Sequence, residues 1–159
     1  MTEAIPIIEQ RRIEANLIKA LLPALEAELG AEKARQLLMG VIVQLAREKG
    51  AELRVANKDD SLITFAETWE PWLRGGTLDM EVISLTDDEY RFDVTRCAYA
   101  EMYREMGLAD LGFTLSCNRD AALVEGFSDR IEFRRTQTIM EGAPHCDFHY
   151  RRVRIASDE

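Results

Sequence analysis

Only two histidines and three cysteines occur among the 159 residues. The cysteine number is odd and no pair has CxxC spacing. That argues against a disulfide framework and against a Cys-rich zinc site, and it fits free thiols in a reducing compartment. No run of 18 or more apolar residues is present, so no membrane-spanning helix is expected. The first residues, MTEAIPIIEQRRIEANL, lack the basic–apolar–small order of an export signal. The expected location is the cytoplasm. Positive charge is also in deficit, with 20 Lys and Arg against 29 Asp and Glu and a net charge of −9. Such a surface repels nucleic acid and anionic membranes, and neither is expected as a partner. Arg134, Arg135, Arg151, Arg152 and Arg154 still supply a local basic patch for a small anion.

What is present is a core-forming composition, 47 % apolar, in a length that suits one domain. A single α+β domain over residues 1–159 is expected, with a helical half (1–75) and a half carrying the sheet and the motifs (76–156). Apolar residues recur at helical spacing from Ile7 to Leu29, with a kink or break expected near Leu22 because Pro23 follows. A second helix is expected from Ala31 to Val55, with a stripe of Leu37, Leu38, Val41, Ile42, Leu45 and Ala46, and Gly50 near its end. These broad stripes point to a homodimer through the two helices. Ser61 is placed to cap a third helix over Leu62 to Trp69.

The period then changes to two. LDMEVISL and YRFDVTRC, joined by TDDE, form a hairpin. A helix over CAYAEMYREMGL stops at Gly107, and short helices follow around LSCNRD. RIEFRRTQTIM and DFHYRRVRI form a second hairpin across EGAPHC. The expected architecture is N-terminal helices, then an antiparallel sheet of about four strands in two hairpins with intervening helices.

The chemistry-bearing residues lie in this second half. Both histidines and one cysteine crowd into GAPHCDFHY. On a strand, His145, Asp147 and His149 share one face, and Cys146, Phe148 and Tyr150 the other. The first face could take a divalent metal, but spacing on one strand is weak support, and no metal or other cofactor is expected. Cys97 opens a helix beside Arg96, where the dipole and the cation favour the thiolate, and Glu101 is one turn further as a proton donor. In CNRD, Asn118 or Asp120 can cap the helix that follows, and Asp120 is equally a site candidate. Each of Cys97, Cys117 and Cys146 stands at an element boundary beside polar residues, so one shared pocket is expected. Against this, cysteine is among the most buried residue types and often only packs.

CAYAEMYREMGL, then LSCNRD, then FRRTQTIMEGAPHCDFHY together resemble the L-2-amino-thiazoline-4-carboxylic acid hydrolase family. The resemblance rests on Cys97, Glu101, Cys117, Asp120, Arg135, Thr136, Thr138, Gly142, Cys146, Asp147 and Phe148, and runs from about Phe92 to Arg152. It implies hydrolytic opening of a thiazoline ring to an N-carbamoyl-cysteine-type product. The chemistry needs a nucleophile, a general acid and a cation for the substrate carboxylate. Cys97 or Cys146, with Cys117 nearby, Glu101 or Asp120, and Arg135 or Arg96 are the candidates, with Asp147 and His149 as further substrate-binding positions. The implied partner is a small-molecule carboxylate. Two other readings are a non-catalytic ligand-binding or thiol-sensing domain of the same fold and a metal-dependent protein using the Cys and His set.

Overall fold

A computed structural model describes residues 4–154. Helix α1 (Ile7–Leu29) runs unbroken through Pro23, and α2 (Ala31–Asn57) follows after Gly30, whose φ of +84° suits glycine. Of the kink or break expected near Leu22, the break does not form. Of the expected α2 stripe, Leu38, Ile42 and Ala46 are buried, whereas Leu37, Val41 and Leu45 face outward, as do Ile13, Leu17 and Leu21 on α1. Gly50 does not end α2. A Cβ there would lie 2.0 Å from the Leu123 carbonyl oxygen, and one at Gly126 would lie 2.0 Å from that of Arg47. Helix α6 (Arg119–Phe127) thus crosses α2 with backbones nearly touching.

Ser61 caps α3 (Leu62–Glu67), its hydroxyl accepting from Thr64 N–H at 3.1 Å, and the short α4 (Glu70–Leu73) follows. Strands β1 (Leu78–Leu85) and β2 (Glu89–Cys97) form the expected hairpin, with one register shift at Thr95 of β2 and one at Ile83 of β1. Helix α5 (Ala98–Glu105) continues directly from β2. A π-helical turn (Phe113–Cys117) then leads into α6. Strand β3 (Ile131–Arg134) is much shorter than RIEFRRTQTIM suggested, because the chain leaves the sheet at Arg135 for a loop with a 3₁₀ turn (Ile139–Glu141). Strand β4 (Cys146–Arg152) returns between β2 and β3, giving the antiparallel order β1-β2-β4-β3. Its alternation is the expected one, with Cys146, Phe148 and Tyr150 buried.

Two apolar clusters result. One joins α1, α2 and α5 through Ala15, Leu22, Leu38, Ile42 and Tyr103. The other lies between the sheet, α3 and α6, where Phe65, Trp69, Phe92, Phe127, Phe148 and Tyr150 interlock, with Phe92 and Phe148 stacked at 4.7 Å across β2 and β4.

Candidate functional site

A cavity of ≈ 110 Å³ opens between the two clusters, with Tyr99 and Met140 from the first and Trp69, Val94, Phe148 and Tyr150 from the second in its wall. Its size is on the order of the ~150 Å³ apolar cavities that accept a single aromatic ring. The polar and sulfur-bearing groups come from the ends of elements. Cys97 ends β2, Cys117 ends the π turn, Asp120 lies in the first turn of α6, Arg135 follows β3 and Cys146 begins β4, and all five line the cavity.

The π turn sets part of this convergence. Its Asn118 N–H donates to the Phe113 carbonyl at 2.8 Å, five residues back, and the extra residue shifts the register so that Ser116, Cys117, Arg119 and Asp120 all reach the cavity. Asn118 does not cap α6, since the π turn runs straight into it. Asp120 instead accepts from Arg135 Nη1 at 2.5 Å. Arg135 also donates to the Cys117 carbonyl at 3.1 Å, and its guanidinium carbon lies 5.7, 5.3 and 5.0 Å from the ring centres of Phe113, Phe133 and Phe148. Asp120 is enclosed by protein while keeping 24 % of its side-chain surface open to the cavity. Burial pushes its pKa up to about 6, against the opposing pull of Arg135, Arg11 and Arg119.

The thiols behave differently from the expectation for Cys97. Burial raises the Cys97 pKa to about 11, outweighing the bond it accepts from Ala100 N–H at 3.4 Å, and Arg96 is turned away from it. Burial likewise raises Cys117 and Cys146. All three cysteines are free thiols. Tyr150 is fully buried in the cavity wall, and its hydroxyl has no hydrogen-bond partner among the described residues.

Four expected site residues lie elsewhere. Arg96 and Glu101 pair with each other at 2.8 Å on the exposed side of α5, because the strand-to-helix junction points Cys97 inward and Arg96 outward. Asp147 accepts from Thr136 N–H at 2.9 Å, Gln137 N–H at 3.0 Å and the Thr136 hydroxyl at 2.5 Å. It fastens the loop that carries Arg135. Partial burial raises its pKa, but the bonds from Thr136 and Gln137 outweigh this, so the net shift is downward. His149 Nε2 sits 2.9 Å from Glu89, and His145 packs against Gln137 and lies 3.8 Å from Asp93. His145, Asp147 and His149 thus have separate partners, and among the described residues no three His, Cys, Asp or Glu side chains group to hold a metal ion.

The structure also brings in residues that were not among the expected site residues. Arg11, Arg119, Trp69, Trp72, Ser116 and Tyr150 all line the cavity. Arg11 and Arg119 are 108 positions apart, and only the fold joins them. A weak signal was available for Tyr150, which shares a strand face with Cys146.

The fold and cavity define an α+β protein with a small, mixed polar and apolar internal site at the helix–sheet seam. The chain belongs to the L-2-amino-thiazoline-4-carboxylic acid hydrolase family, whose model matches residues 10–150 and so includes the helical half. Among solved structures it is similar to the phenol-responsive sensory domain of the transcription activator PoxR with phenol. The TM-score is 0.53 at 15 % identity, covering 86 % of this chain and 73 % of that one, a likeness of fold. A search of curated proteins found no match. No helix among the described residues is long and apolar enough to cross a membrane.

Proposed function

We propose that the protein hydrolyses a small cyclic amidine carboxylate of the 2-amino-thiazoline-4-carboxylate type, opening the ring to an N-carbamoyl-cysteine-type product. The observation that carries this reading, beside the family, is Asp120: an enclosed carboxyl facing the cavity, with a pKa of about 6 and a fixed cationic partner. Such a group both accepts and returns a proton near neutrality.

Asp120 takes one proton from a water that adds to C2 of the ring, and the hydroxyl so formed gives its remaining proton to the ring nitrogen as C2 becomes a carbonyl. The C2–S bond then breaks, and the sulfur leaves as a thiolate. Asp120 returns the proton to that sulfur, so one water is consumed and no other reactant is needed. Arg135 orients Asp120 throughout. Cys97 or Cys146 is the alternative nucleophile, and it too requires a base, because burial keeps both thiols protonated. Cys117 is held still more firmly in the thiol form. The test is incubation with L-2-amino-thiazoline-4-carboxylate and colorimetric detection of the product thiol. A fall in turnover of about 10²-fold or more in Asp120→Asn is expected, and the absence of any thiol release by the wild-type protein sinks the reading.

A second reading, a ligand-binding domain without turnover, is favoured by the protonated thiols and by the partnerless Tyr150 hydroxyl. The fold of the phenol-responsive domain supports it as well. Quenching of Trp69 and Trp72 fluorescence by a ring compound that emerges unchanged would establish it. The exposed Ile13, Leu17 and Leu21 on α1 and Leu37, Val41 and Leu45 on α2 support pairing with a second copy through these helices. Sedimentation at micromolar concentration tests this, with twice the 18.1 kDa chain mass as the expected species. Three free thiols support a reducing, cytoplasmic setting.

A further inference from the structure

Arg11 of α1 and Arg119 of α6 meet on a single carboxylate. Arg11 Nη1 donates to both oxygens of Glu14 at 3.1 Å, and Arg119 Nη2 donates to Glu14 Oε2 at 2.9 Å. Arg119 Nε is taken up by the Leu115 carbonyl at 2.7 Å. Both arginines line the cavity and each is only 9 % exposed. Their remaining nitrogens, Nε and Nη2 of Arg11 and Nη1 of Arg119, have no hydrogen-bond partner among the described residues.

A charge count separates this cluster from the other arginine in the cavity. Two guanidinium groups and one carboxylate leave the Arg11–Glu14–Arg119 cluster at +1. Arg135 with Asp120 sums to zero when Asp120 is ionised, and three rings block its guanidinium on the sides not facing Asp120 and Cys117. Lys49, the remaining cationic lining residue, pairs with Glu52 at 3.2 Å and is half-exposed at the rim. A surplus charge taken out of water calls for an anion. Planar nitrogens in a fork match the two oxygens of a carboxylate.

We propose that Arg11 and Arg119, rather than Arg135, form the seat of the ligand's carboxylate, with the ring lying toward Asp120 and the free Tyr150 hydroxyl. This rests on the hydrolase reading for the ligand's class. It differs from the sequence-based assignment of the carboxylate to Arg135 or Arg96.

The test compares two stable ring probes, 2-aminothiazole-4-carboxylate and neutral 2-aminothiazole, by calorimetric titration. The wild-type protein is expected to prefer the carboxylate by about tenfold or more. Arg11→Gln should erase most of that preference while leaving binding of the neutral ring unchanged. To keep the test independent of how the variant folds, the wild-type side-chain Nε–Hε resonances are also followed by NMR. Those of Arg11 and Arg119 should move with the carboxylate and not with the neutral probe. Movement of Arg135 alone, a preference that survives in Arg11→Gln, or failure of both probes to bind at millimolar concentration overturns the proposal. Turnover of the thiazoline is measured on the same samples. Charge-selective binding without turnover removes the hydrolase reading and leaves the anion seat. Turnover with an unchanged KM in Arg11→Gln removes the seat and leaves the hydrolase reading.

Discussion

The Arg135 guanidinium donates to Asp120 at 2.5 Å while Phe113, Phe133 and Phe148 surround it. A buried cation held this firmly cannot follow a moving partner, so the carboxyl is fixed in direction as well as in charge. Asp120 is therefore poised toward the cavity before any ligand enters.

The pH dependence of turnover follows from Asp120. As a base it must be ionised, and burial sets its pKa at about 6. Activity should therefore rise with pH through about 6 and level off above it. Asp120→Asn should lower kcat by about 10²-fold or more. A kcat/KM profile flat between pH 5 and 7 on the order of the Asp120 midpoint would assign the proton transfer to another group.

Thiol reactivity should be low. With Cys97 raised to about 11 and Cys117 and Cys146 also raised, little thiolate exists at neutral pH. Iodoacetamide should label the folded protein at least about tenfold more slowly than free cysteine, with Cys97 or Cys146 ahead of Cys117. Mass-spectrometric mapping of the alkylated peptides checks both the rate and the order.

Asp147 acts at a distance from the cavity. Its three bonds hold Thr136 and Gln137, which follow Arg135 directly. Asp147→Ala strands two backbone donors, a loss of about 1–2 kcal/mol at this half-buried position. The expected result is a modest fall in urea midpoint with a larger fall in activity, since Arg135 loses its anchor. Equal activity at equal folded fraction would contradict that role.

The crossing of α2 and α6 admits no side chain. Gly50→Ala places a methyl group 2.0 Å from the Leu123 carbonyl oxygen, and the helices must part. A destabilisation of about 1–3 kcal/mol or more is expected, read as a drop in thermal midpoint. Gly40→Ala on the same helix meets nothing within 4 Å and serves as the control. It should be neutral or slightly stabilising.

Periodicity carried the fold well where a single face decides the outcome. The β1–β2 hairpin and the inward Cys146–Phe148–Tyr150 face of β4 were legible for that reason. Pro23 was expected to kink or break α1, and the helix carries on through it to Leu29. The α2 stripe was half right, since Leu37, Val41 and Leu45 match the helical period while facing solvent. The meeting of the boundary cysteines with Asp120 and Arg135 in one cavity was legible. The site's charge state was not. Burial reversed the expected direction at Cys97, and burial depends on the whole fold. Arg11 and Arg119 were invisible for a related reason: each is an ordinary helix-face arginine until α1 and α6 are brought together.

The cavity occupies the seam where the two apolar clusters would otherwise close on each other. Whatever fills it becomes a shared part of both. A ligand present at a hundred times its dissociation constant would add about 2.7 kcal/mol to the folded state. That is a substantial fraction of the stability of an ordinary domain. Cellular abundance of the protein would then track the supply of its own ligand, because empty molecules unfold more often and are degraded sooner.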